Sequence, residues 1–214
     1  MKTTLKLFLS LAIVLFATQI TTAQQSAKEL KKELKANVVK DVKKSAKKLV
    51  KEGWKTMPGL LPIEKQIQAT QFAQLDKDDK GNLLNLVGTN RAISQSYSAA
   101  KQMADHRAKM ELARAVSTAI TEKIKENTAN NNLGDGDIEL IEEFISANQA
   151  TVSNILTNVK APLAIYRQLG DNKYEVDVAV SVNAKDALKA AKSALTSKLA
   201  KKSAKLSEAL DKIL

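Results

Sequence analysis

Residues 173–182 constrain this chain more than any other stretch. Tyr174, Val176, Val178, Val180 and Val182 occupy alternate positions, with Lys173, Glu175, Asp177, Ala179 and Ser181 between them. A period of two marks a strand with one apolar face and one wet face. Gly170-Asp171-Asn172 precedes it, and Gly and Asn tolerate positive φ, so 159–182 is expected to form a β-hairpin. The first arm, 163–169, alternates less regularly, and Pro162 sends it to a sheet edge or a strand start. In this register Val176, Val178 and Val180 are buried, while Glu175 and Asp177 face solvent.

A sheet with one apolar face needs a cover. The sequence offers one in 94–127, where Ala100, Ala104, Ala108, Leu112, Ala115 and Ala119 form a stripe of small residues at helical spacing. The stripe is flanked by Met103, Val116, Ile120 and Ile124. Aromatic residues make up only 4% of the chain, so small and aliphatic side chains must do the packing. The preceding stretch, 83–93, is expected to be a strand, with Leu84 and Leu86 on one face. Gly88 within it permits a close backbone approach or a bulge. After an Asn- and Gly-rich loop at 130–136, a further helix is expected to about Asn158, with Ile138, Ile141, Ile145, Val152 and Ile155 inward. The predicted class is α+β: a small antiparallel sheet covered on one face by long helices, with lysine-rich helical extensions at both ends.

Those extensions frame the domain plan. Residues 1–23 have the form of a secretory signal peptide: Lys2 and Lys6, an apolar run over 7–17, then Thr21 and Ala23 before a cut at Gln24. The run is too short for a comfortable membrane span. Residues 24–62 make a basic amphipathic arm and connector, 63–182 the α+β core, and 183–214 a basic C-terminal helix. The arm is expected to be helical over 26–52, since Ser26 and Glu29 have capping-box spacing and Leu30, Leu34, Val38, Val42, Ala46 and Leu49 form one stripe. Gly53 suits the left-handed residue of a Schellman ending, which would fold Trp54 back onto Leu49. Two prolines and a glycine make 55–62 a connector, and Pro62 can open a helix. In the last segment Asn183 is a cap, and Leu188, Leu195, Leu199, Leu206 and Leu210 suggest one straight stripe with an eleven-residue repeat.

The chain carries a formal charge of +11, nearly all of it on lysine. Lysine favours salt-sensitive attraction to anions over bidentate recognition. Lys40, Lys43, Lys44, Lys47, Lys48 and Lys51 in the first helix are therefore the candidate anion-binding residues. Nucleic-acid readers add arginine and aromatic stacking groups, which these helices lack, so no specific nucleic-acid partner is expected.

No catalytic, cofactor or metal constellation emerges from the sequence. There is no cysteine, which excludes disulfides, thiolate sites and lipid attachment through cysteine. His106 is the single histidine, and its neighbours Asp105 and Arg107 point about 100° away from it on a helix. Asp76, Asp78 and Gly81 mimic a calcium loop, but Val87 stands where a bidentate glutamate is needed. The segment is expected to be an exposed turn. No Gly-rich phosphate loop or nucleophile elbow is present.

The order strand, alanine-rich helix, second helix, two-strand hairpin resembles a known family. It is carried by Ala100, Ala104, Ala108, Leu112-Ala113 and Tyr174-Glu175-Val176-Asp177-Val178, within 83–182. The likeness is to the small twenty-kilodalton outer-membrane lipoprotein family and to the N-terminal domain of the flagellar assembly T protein. It implies a compact α+β cell-envelope protein with no catalytic residues to carry over. The chain departs from the lipoprotein pattern in lacking cysteine altogether.

The resulting expectation is an exported, soluble, non-catalytic envelope protein, periplasmic or secreted, that binds or scaffolds an envelope protein partner. The alternative is a lysine-mediated electrostatic binder of an anionic polymer or membrane surface. N-terminal sequencing of the protein recovered from outside the cytoplasm should begin at or near Gln24. An intact Met1 on cytoplasmic protein would contradict export.

Overall fold

The valine alternation becomes the central strand of a four-stranded antiparallel sheet. The computed structural model describes residues 36–127, 134–170 and 172–213. The chain forms two units, Met1–Lys44 and Ser45–Leu214. Of the first unit, residues 36–44 are described and are helical. The second unit opens with helix α1 (45–51), then β1 (Lys55–Thr56), α2 (Ile63–Leu75), β2 (Asn85–Ser94) and the long helix α3 (Tyr97–Asn127). It continues with α4 (Asp135–Ala147), α5 (Gln149–Ile155), β3 (Lys160–Gln168), β4 (Tyr174–Asn183), α6 (Ala184–Ala200) and α7 (Ala204–Ile213). The chain is α+β, as its patterning predicts. The signal peptide at 1–23, the first ten residues of the 26–52 helix and Asp171 of the turn lie outside the described residues.

Strand order is β1-β3-β4-β2, with every pairing antiparallel. β2 and β4 pair without interruption from Asn85↔Asn183 to Ser94↔Tyr174. β3 is interrupted between Lys160 and Leu163, at Pro162, which cannot donate to the ladder. The hairpin closes with Leu169 N–H donating to Lys173 O at 2.7 Å and Asn172 at φ 55°.

Val176, Val178, Val180 and Val182 are buried in one cluster with Ala100, Ala104, Ala108 and Leu112. The alanine stripe thus covers the valine face. The closest approach is at Gly88. A methyl group there would stand 2.2 Å from Ala108 O and 2.3 Å from Leu112 N. The glycine is required because the α3 backbone occupies the space of a side chain.

Three features differ from the sequence reading. The helix expected to run to about Asn158 breaks at Asn148, whose Nδ2 donates to Phe144 O at 2.7 Å. The side chain supplies a hydrogen bond that competes with helix continuation. The C-terminal segment is not one straight helix either. Lys202 N–H and Ser203 N–H both donate to Leu199 O, and Ser203 Oγ accepts from Leu206 N–H, so α7 starts afresh. It folds back along α6, with Ser207 Oγ donating to Thr196 O and Lys192 Nζ to Asp211 O. Leu195, Leu199 and Leu210 are buried in the main core instead of forming an eleven-residue stripe. Finally, the second face of β4 is not wet: Glu175, Ala179 and Ser181 are buried, and Asp177, expected to face solvent, is only partly exposed.

Gly88→Ala should be among the most damaging single substitutions. Overpacking against backbone cannot relax by a rotamer change, so the expected loss is about 3 kcal/mol, or roughly 10 °C in Tm. Gly136→Ala, in α4 with open space around it, should leave the melting temperature unchanged or raise it slightly. Thermal unfolding of both variants checks this.

Candidate functional site

The second face of the sheet owes its cover to the end of α1. Gly53 has φ +85°, Gly53 N–H donates to Val50 O and Trp54 N–H to Leu49 O. These are the two bonds of a Schellman ending, as the sequence predicts. The turn carries Trp54 to 2% exposure, in a cluster with Ala46, Ile63 and Ile165 that Leu49 flanks. The connector then contributes a short strand that sequence patterning did not indicate, with Thr56 opposite Ile165 at the edge of β3. Beyond it, Gln66 of α2 substitutes for a longer strand. Its Oε1 accepts from Ala164 N–H at 2.8 Å, and its Nε2 donates to Thr56 Oγ1 at 2.7 Å.

Beneath Trp54 lies an ionic network that joins three strands. Glu175 accepts from Arg167 Nε at 2.6 Å and sits 3.7 Å from Arg91 Nη1. Arg91 also donates to Asp177 Oδ2 through Nη2 at 2.6 Å and Nε at 3.1 Å. Both guanidinium carbons lie 4.9 Å from the Trp54 ring centroid, within cation–π range. Partial burial disfavours the charge on Arg91. The hydrogen bond and charge of Asp177, with Glu175 and Glu52, nonetheless hold its pKa above the ordinary value. Trp54 Nε1 is buried without a hydrogen-bond partner. Two of the chain's four arginines therefore serve this network, which neutralises Glu175 and lets it stay buried.

Against this backing lies a groove of ≈ 740 Å³. Ala46, Val50, Trp54, Pro62, Ile63 and Tyr166 give it a mainly apolar lining. Lys47, Lys51 and Lys55 border it, with Thr56 and the single acid Glu64. Val50 is 59% exposed there, although it is a large apolar residue.

All six lysines singled out from the sequence are exposed. The structure brings Lys47 and Lys51 to the groove and adds Lys55, which sequence reasoning missed. Lys48 stands apart in a 3.9 Å pair with Glu52. Lys40, Lys43 and Lys44 belong to the first unit. Gln66, Arg91, Arg167 and Glu175 were also missed. Their signal is the cross-strand register, which sets Arg91 opposite Asp177 and Arg167 opposite Glu175 and is not visible before the strands are paired.

Elsewhere, His106 is an exposed residue of α3 beside a separate cavity lined by Lys109, Ser153 and Asn154. The 76–82 segment is an exposed turn: Asp78 Oδ1 accepts from Lys80 N–H and Asn82 N–H, and hydrogen bonds from Asn82 hold the carboxyl below its ordinary pKa. Among the described residues, no group of three His, Cys, Asp or Glu side chains is placed to hold a metal ion. Among the same residues, no helix is long and apolar enough to cross a membrane. No family model matches the sequence, and no curated protein matches it significantly.

Glu175→Gln removes the charge that holds two guanidiniums together beneath Trp54. The expected loss is about 2 kcal/mol, discounted because Arg91 is half exposed. Lys48→Gln, at an exposed pair, should change stability by no more than about 0.5 kcal/mol. Urea unfolding followed through the single tryptophan measures both.

Proposed function

We propose that this protein is an exported, non-catalytic module of the cell envelope that binds or scaffolds another envelope component through the groove beside Trp54. The observation that carries the reading is the groove itself: an apolar surface with a lysine border, built on a wall fixed by ion pairs and strand hydrogen bonds. Ligand sites are commonly concave, largely apolar and preformed, with a few polar groups at their margins. The resemblance of 83–182 to envelope lipoproteins and the signal-like residues 1–23 support an envelope location.

A second reading has its own observation. The exposed lysines at 40, 43, 44, 47, 48 and 51 favour electrostatic attachment to an anionic polymer or membrane surface. Capture from envelope extract at low and at moderate salt separates the two. Val50→Asp should abolish capture at both salt concentrations if the groove is the binding surface. Glutamine at Lys40, Lys43, Lys44 and Lys48, none of which lines the groove, should then leave capture at moderate salt largely intact. The reverse pattern, with capture lost in the glutamine variant and steeply weakened by salt, would establish the electrostatic reading instead.

A further inference from the structure

The groove's charge and lining specify more than a generic binding surface. Lys47, Val50 and Lys51 fall at i, i+3 and i+4 on α1, so the exposed valine stands between two ammonium groups on one helix face. Lys55 adds a third from β1. Among the described residues none of these three lysines has an ion-pair partner, whereas Lys48 on the same helix does. Three positive groups therefore border the groove against one carboxylate, that of Glu64. The floor between them is hydrocarbon and aromatic: Val50, Trp54, Pro62 and Ile63. The volume of ≈ 740 Å³ falls within the roughly 300–1,000 Å³ of small-molecule sites.

We propose that the groove takes a single-chain anionic amphiphile, with its alkyl chain on the exposed Val50 and Pro62 over the buried Trp54 and Ile63, and its carboxylate or phosphate head on Lys47, Lys51 and Lys55. This rests on the groove being the binding surface and names the ligand class. A neutral alkane would leave three ammoniums without a counter-charge. A purely ionic polymer would leave Val50 and Pro62 in water. An amphiphile with a negative head satisfies both surfaces, and lysine contributes charge without the fork geometry that a planar partner would require.

The test is titration of the purified protein with dodecanoate below its micelle concentration. Trp54 is the only tryptophan and lines the groove, so its fluorescence reports occupancy, and calorimetry gives the stoichiometry independently. One saturable site is expected. Glutamine at Lys47, Lys51 and Lys55 together should weaken dodecanoate about tenfold, from three exposed ionic contacts. Val50→Asp should weaken it at least as much, while its 59% exposure keeps the fall in melting temperature to no more than a few degrees. Dodecyltrimethylammonium, with the same chain and the opposite charge, should give no saturable signal. Equal affinity for the two head groups, or unchanged affinity in the glutamine variant, would overturn the proposal. So would a response to anionic phospholipid vesicles with none to dodecanoate, which would assign the surface to a bilayer. If dodecanoate fails to bind while Val50→Asp still abolishes envelope capture, the ligand class is wrong and the binding surface stands. If both fail, the groove is not the functional surface.

Discussion

The contact between Gly88 of β2 and the backbone of α3 at Ala108–Leu112 is the constraint on which the rest of the domain depends. A helix can approach a strand this closely only where neither presents a large side chain. The alanine stripe supplies that surface on the helix, and the glycine supplies it on the strand. The chain has few aromatic residues with which to fill a wider gap, so the core is closed by bringing backbones together. One consequence is register. With β2 fixed under α3, its uninterrupted pairing to β4 fixes which residues of β4 look the other way. Arg91 then stands opposite Asp177, and β3 sets Arg167 opposite Glu175.

That second face shows where a period-two pattern stops being informative. Alternation in 173–182 correctly identifies the strand and its valine face. It also marks Glu175 as polar, and polarity was equated with exposure. The equation fails because a carboxylate can be buried when cross-strand guanidiniums compensate its charge. Those guanidiniums are on strands that lie 84 and 8 residues away in sequence, and the Trp54 ring above them arrives from another element. No local window contains this information.

Local signals served well where a single turn decides the outcome. The Gly53 ending was legible because a Schellman turn requires only a left-handed residue and a neighbour able to fold back. Asn183 was legible as a cap for the same reason, its side chain accepting from Asp186 N–H. The breaks at Asn148 and Ser203 were equally local but lost to a longer-range pattern, since apolar spacing continues across both. Periodicity counts which residues are apolar, and an antiparallel helix pair can bury the same leucines that a single straight helix would align. Gln66 lay beyond sequence reasoning of either kind. Its partners, Ala164 N–H and Thr56 Oγ1, are joined to it only by the tertiary fold.

The groove follows from the same geometry. A Schellman ending reverses the chain, so the last turn of α1 and the strand that follows it form two walls of a concavity, with Trp54 where they meet. The lysines borne on those walls could have been ordinary solubilising charges. Their position around an exposed valine is what the proposed binding rests on. The guanidiniums of Arg91 and Arg167, each 4.9 Å from the Trp54 ring centroid, help to fix that ring in place. A wall already ordered in the free protein imposes little further entropy loss on a ligand, which is the condition under which so small a surface can bind selectively.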